Sequence, residues 1–146
     1  MESYDRVRVN TAPEVRAEID RGIAARVKSF EGAGAGELTR RMDDLDREWG
    51  MERTLELNAS AIAFTGVVLG IIHSPYWLIV PMIVLPFLFL HAVQGWCPPV
   101  PLFRRMGFRT RQEIDREKYA LKLLRGDFNE AVKQRNAETV LGAVWQ

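Results

Sequence analysis

Apolar and polar positions recur with helical spacing near both ends of this chain and lose that spacing in the middle. Val15, Ile19, Ile23, Val27 and Phe30 return every three to four residues, which places one apolar stripe on an amphipathic helix. The pattern predicts a helix over about 12–30, with Thr11 able to cap it, Pro13 in the first turn and Glu14 three residues after the cap. Gly32, Gly34 and Gly36 alternate with alanine and predict a flexible break. A second stripe, Leu38, Met42, Leu45 and Trp49, predicts a helix over about 37–49. Its other face carries Arg40, Arg41, Asp43, Asp44, Asp46, Arg47 and Glu48. The polar residues 1–10 are expected to form a flexible N-terminus.

From Leu57 to Phe103 the periodicity gives way to 47 residues without a single Lys, Arg, Asp or Glu. That length accommodates two membrane spans, each needing ~20 apolar residues. The expected spans are about 55–73 and 75–95, within a transmembrane hairpin over 51–103. The apolar run Leu57–Ile72 covers only ~24 Å at 1.5 Å per residue, so Arg53 and Glu56 are expected near the headgroups. His73, Ser74 and Pro75 form the turn, with Ser74 as cap and Pro75 in the first turn of the second helix. Pro81 and Pro86 are expected to bend that helix. Tyr76 and Trp77 at one end and Trp96 at the other match interfacial aromatic belts.

Past Phe103 the helical pattern resumes. Thr110 and Glu113 read as a capping box opening a helix to about Arg125, stopped by Gly126, and Asp127 with Glu130 opens another to about Val144. The fold class is therefore all-α: an integral membrane two-helix hairpin with amphipathic cytoplasmic helices at both ends, over 11–50 and in a basic tail over 104–146.

Charge sharpens this picture. Residues 1–56 hold 10 basic and 13 acidic side chains, and 104–146 hold 10 and 6. Near the expected membrane the N-terminal flank carries Arg40, Arg41, Arg47 and Arg53, and the C-terminal flank carries eight basic residues beginning with Arg104, Arg105, Arg109 and Arg111. Positive flanks favour the cytoplasmic side, so both termini are expected there, and the cluster Arg104, Arg105, Arg109 and Arg111 is a candidate headgroup site.

Candidate chemistry is sparse. Ala59, Ala63, Gly66 and Gly70 are spaced four, three, four, and Gly66–Gly70 is a GxxxG motif. Small faces let helices approach closely, either within the hairpin or between copies or subunits. The single cysteine, Cys97, excludes an internal disulfide and a cysteine-based zinc site. Cys97 reads either as a reactive thiol or as a small residue filling a tight turn. His91 and Gln94 share a face of the second span, and His91 is expected to hydrogen-bond to Gln94, a carbonyl or water. No metal or cofactor site is expected, and the charge-free spans speak against ion coupling.

The stretch from Met51 through Gln94-Gly95-Trp96-Cys97-Pro98-Pro99 to Gly107 and Thr110 resembles the two-helix inner-membrane domain of unknown function found in YgaP-type proteins. That family closes a short hairpin with Gly-x-Cys-Pro followed by Gly-x-x-Thr, which here are Gly95, Cys97, Pro98, Gly107 and Thr110. The resemblance implies a bacterial inner-membrane protein, oligomeric, with a link to sulfur chemistry. The chain lacks the rhodanese that can accompany that domain, and it adds charged helical flanks.

The expected function is a non-enzymatic membrane accessory or scaffold protein that oligomerises or docks into a larger complex. Its expected partners are the lipid bilayer and copies of itself or other membrane subunits, with no nucleic acid. The alternative is a thiol-dependent sulfur-relay or redox module acting through Cys97.

Overall fold

A computed structural model of the chain describes residues 5–129. In chain order the helices are α1 (Arg6–Val9), α2 (Pro13–Ser29), α3 (Ala35–Arg47), α4 (Met51–Ile72), α5 (Ile79–Gln94), α6 (Val100–Arg105) and α7 (Arg111–Arg125). A 3-10 turn at Pro75–Leu78 precedes α5, and no strand forms among the described residues. They make two compact units. One holds the described residues up to Ile19 with Trp49–Gln112; the other holds Asp20–Glu48 with the described residues from Glu113 onward.

The first unit is built on α4 and α5, and two of its helical stretches are long and apolar enough to cross a membrane. Helix α4 has 22 residues, ~33 Å of rise. It starts at Met51 because Gly50 adopts the extended N-cap conformation, φ −69° and ψ 163°. The helix thus gains one and a half polar turns ahead of the apolar run. In the most apolar stretches only 22% and 6% of residues are buried, so most of this surface faces outward, as at Phe64, Ile71, Met82 and Phe89.

The two helices approach most closely near the His73 turn. A Cβ on Gly66 would stand 2.7 Å from Pro81 Cδ, and one on Gly70 2.6 Å from Leu78 Cδ2. Ala63 is buried on the same face. Pro81 does not bend α5. It sits in the first turn, where no intrahelical N–H bond is due, and only Pro86 lies inside the helix. Ser74 occupies the cap position of the 3-10 turn without a side-chain hydrogen bond.

The open end of the pair is closed by a small core of Val7, Met51, Leu55, Cys97 and Val100, with Phe103 and Phe108 packed against it. Its presence corrects the expectation of a flexible 1–10 segment for residues 5–10. Asp5 Oδ1 caps α1 by accepting from Arg8 N at 2.9 Å. Arg6 Nη1 donates to the carbonyls of Ala92 (3.2 Å) and Val93 (2.8 Å), and Asn10 Nδ2 donates to that of Gln94 (3.0 Å). These are α5 C-terminal carbonyls, which the helix cannot satisfy itself.

The second unit joins both charged flanks. Leu38, Met42 and Leu45 of α3 pack with Ile114 and Leu121 of α7, and Phe30 and Ala33 cover the cluster. The 11–50 and 104–146 segments are therefore not separate appendages, because their apolar stripes bury one another. Helix α3 runs 35–47 rather than 37–49, since Gly34 takes the cap conformation and Glu48 turns extended. Trp49 accordingly leaves the stripe; it is 44% exposed, and the Arg53 guanidinium lies 4.3 Å from its ring centroid. Glu117 is buried and ion-paired with Arg26 (3.0 Å) and Arg41 (2.7 Å). Helix α7 ends at Gly126, φ +87°, as the pattern predicts. The helix expected to run on to Val144 falls largely outside the described residues.

Candidate functional site

Cys97 and His91 lie toward the open end of the first unit, whereas Gly66 and Gly70 lie near the His73 turn. Gly95 ends α5 with φ +72°, a conformation that suits glycine, and α1 packs over the place where a side chain would stand. The chain then turns through Cys97 and the two prolines into α6. Cys97 is 4% exposed within the apolar core. Burial pushes its thiol pKa up, over the opposing pull of the Val100 N–H. A thiolate is the nucleophilic form, so burial holds Cys97 toward the less reactive thiol, an environment that suits a turn-filling residue.

The candidate headgroup arginines divide. Arg105 and Arg111 are exposed, whereas Arg104 (1%) and Arg109 (6%) are buried. Arg104 Nε donates to Thr11 Oγ1 at 3.0 Å and its Nη1 to the Phe108 carbonyl at 2.9 Å. The Arg109 carbonyl accepts from Met51 N at 2.8 Å. A buried guanidinium needs such partners, so the Arg104 side chain ties the loop after α6 to Thr11, and the Arg109 backbone ties it to the start of α4. Thr110, also buried, donates to Asp5.

The small-residue positions separate similarly. Gly66, Gly70 and Ala63 face the hairpin's own second helix, while Ala59 lies where the pair has begun to splay.

Splaying opens two hollows that share Leu88. One is a polar cleft of 510 Å³ lined by Asp5, Arg6, Glu52, Glu56, His91 and Gln112 among others. His91 Nδ1 is buried with no hydrogen-bond partner among the described residues. His91 shares this cleft with Glu52 and Glu56, and among the described residues its side chain makes no bond to Gln94, which is exposed and accepts from Asn10 through its carbonyl. Sequence reasoning placed Glu56 near the headgroups but connected neither glutamate with His91. A signal existed: Glu52, Glu56, Ala59 and Ala63 continue one face of α4 at spacings of four, three, four. Among the described residues no group of three or more His, Cys, Asp or Glu could hold a metal ion.

The other hollow is apolar, 230 Å³, lined by Leu55, Ala59, Ile62, Val84, Phe87 and Cys97 among others. Asn58 is on its rim, with Nδ2 donating to the Thr54 carbonyl at 2.7 Å.

Comparisons with family models, curated proteins and solved structures return no match.

Proposed function

We propose that this chain is a non-enzymatic integral membrane accessory protein, a two-span hairpin that anchors a compact charged helical unit and joins a homo-oligomer or a larger membrane complex. The carrying observation is the bareness of α4 and α5. Two apolar helices with 22% and 6% burial in their most apolar stretches would be an aggregation hazard in water and are at rest in hydrocarbon. The flanks supply a docking element of their own, since α3 and α7 form a separate core with charged outer faces.

The same reading puts both termini in the cytoplasm of a bacterial cell, with the hairpin in the inner membrane. It is supported by the positive flanks and by the resemblance of the Gly95–Pro98 closure to YgaP-type hairpins. Because Gly66 and Gly70 are spent inside the hairpin, the oligomer contact lies on other faces of the pair.

The test is alkaline carbonate extraction of membranes followed by native mass measurement in a gentle detergent. Retention in the pellet and a mass above one chain are expected. Release into the supernatant overturns the membrane reading, and a lone chain overturns the assembly reading.

A further inference from the structure

The polar cleft beside His91 holds charge that the chain leaves unanswered. Three carboxylates line it, those of Asp5, Glu52 and Glu56, against one guanidinium, that of Arg6. Asp5 is engaged by Arg8 N and Thr110, and Arg6 by the Ala92 and Val93 carbonyls. Glu52 and Glu56 stand one turn apart on α4, and like charges at that spacing repel. Among the described residues their side chains make no hydrogen bond or ion pair. Leu88 and Ala92 add an apolar wall. The cleft therefore suits a cation carried beside apolar groups.

The same unit presents such a surface on α6. Leu102, Arg105 and Met106 lie three and four residues apart, on one face, and all are exposed. Among the described residues the Arg105 side chain also makes no hydrogen bond or ion pair. It lines a separate hollow with Val9 and Val15, which shares no residue with the cleft. The chain thus does not bring its own Arg105 to its own glutamates.

Both surfaces are fixed to one core. Met51 and Leu55, next in sequence to Glu52 and Glu56, pack in the same cluster as Val100 and Phe103 of α6. The cleft and the α6 face therefore stand at one level beside the spans. Copies in one bilayer share a plane and an orientation, so a contact between them joins surfaces of equal depth, and rotation about the membrane normal closes it into a cyclic assembly. Charge beside hydrocarbon is costly until it is paired.

We propose that Glu52 and Glu56 of one copy receive Arg105 of a second copy, with Leu102 and Met106 seated against Leu88 and Ala92. The proposal rests on the membrane and assembly reading above and names the contact which that reading leaves open.

The experiment uses the full chain purified in a mild detergent and weighed by native mass spectrometry. Wild type is expected as an oligomer. Arg105→Glu is expected to give single chains, and so is the double variant Glu52→Lys with Glu56→Lys. All three substitutions in one chain exchange the signs and are expected to restore the wild-type mass, which misfolding would not do. Reversed variants that keep the wild-type mass overturn the contact and leave the assembly reading standing. A triple variant that stays single overturns the pairing as well. A wild type that is itself a single chain, bare or carrying a lipid, overturns the assembly reading and this contact with it. Failure of the membrane reading would show separately, as release of the chain by carbonate.

Discussion

The second unit hides charge inside itself, and the first unit leaves its apolar surface outside. Around Leu45 and Ile114 the flanks close an ordinary apolar core and then enclose Glu117, which two arginines neutralise. The α4–α5 pair does the reverse: beyond the core at Met51 and Leu55, its buried residues are few and small, Ala63, Gly66 and Pro81. Water drives the first kind of packing. Lipid removes that drive, so close backbone approach has to supply the contact. Each unit thus carries the stamp of the solvent proposed for it.

Perturbations should separate the two kinds of packing. The largest effect is expected from Glu117→Ala. Removing one partner of a buried ion pair costs ~3–5 kcal/mol, here at the lower end because Arg26 is 40% exposed. Hydrogen exchange at the Leu45 and Leu121 amides reads it, and unchanged protection would show that the unit's apolar core alone suffices. Next comes Gly66→Leu. Overpacking against the Pro81 ring should cost ~1–3 kcal/mol and loosen the hairpin itself, read as faster proteolysis at the His73 turn. Wild-type resistance with a changed native mass would instead assign Gly66 to a contact between chains.

Arg104→Met should cost ~1–3 kcal/mol by stranding the Phe108 carbonyl, Thr11 keeping its own bond to the Val7 carbonyl, measured as a lower melting temperature in detergent. Cys97 should alkylate more slowly at neutral pH than a free cysteine, and its rate should rise with pH to a midpoint above the ordinary ~8.5. A midpoint below that value would restore the reactive-thiol reading. The smallest effect concerns Asp127. The Arg125 hydrogen bonds hold its carboxyl pKa below the usual range. The tie therefore contributes above the unfolded value of ~3.9 and is lost as pH falls through the lower folded value. Amide exchange at the C-terminal end of α7 should quicken only under such acid conditions.

The sequence showed the helices well where composition alone decides them. The charge-free stretch, the His73 turn and the Gly126 stop are local signals, and α4, α5 and α7 follow them. What it hid were pairings across long separations. Nothing in the stripe of Leu38, Met42 and Leu45 says that Ile114 will meet it. A basic run looks like a surface until Thr11 and the Phe108 carbonyl are seen to claim Arg104. The glutamates beside His91 were hidden for the same reason: 35 residues separate His91 from Glu56, and only the splaying of the hairpin brings them to one cleft. Glycine misled in a different way. The Gly32–Gly36 run reads as a break and does separate α2 from α3, yet the break ends early, because Gly34 serves as a cap and Gly36 lies within α3.

The docking of α1 has a consequence in time. Arg6 and Asn10 bond to carbonyls 84 to 87 residues later in the chain, and Asp5 to Thr110 across 105. At synthesis rates of ~5–20 residues per second, α1 waits ~5–20 s for the segments that receive it. It therefore docks only once α5 and the Thr110 loop have been made, so a change that delays those segments delays the closing of this core.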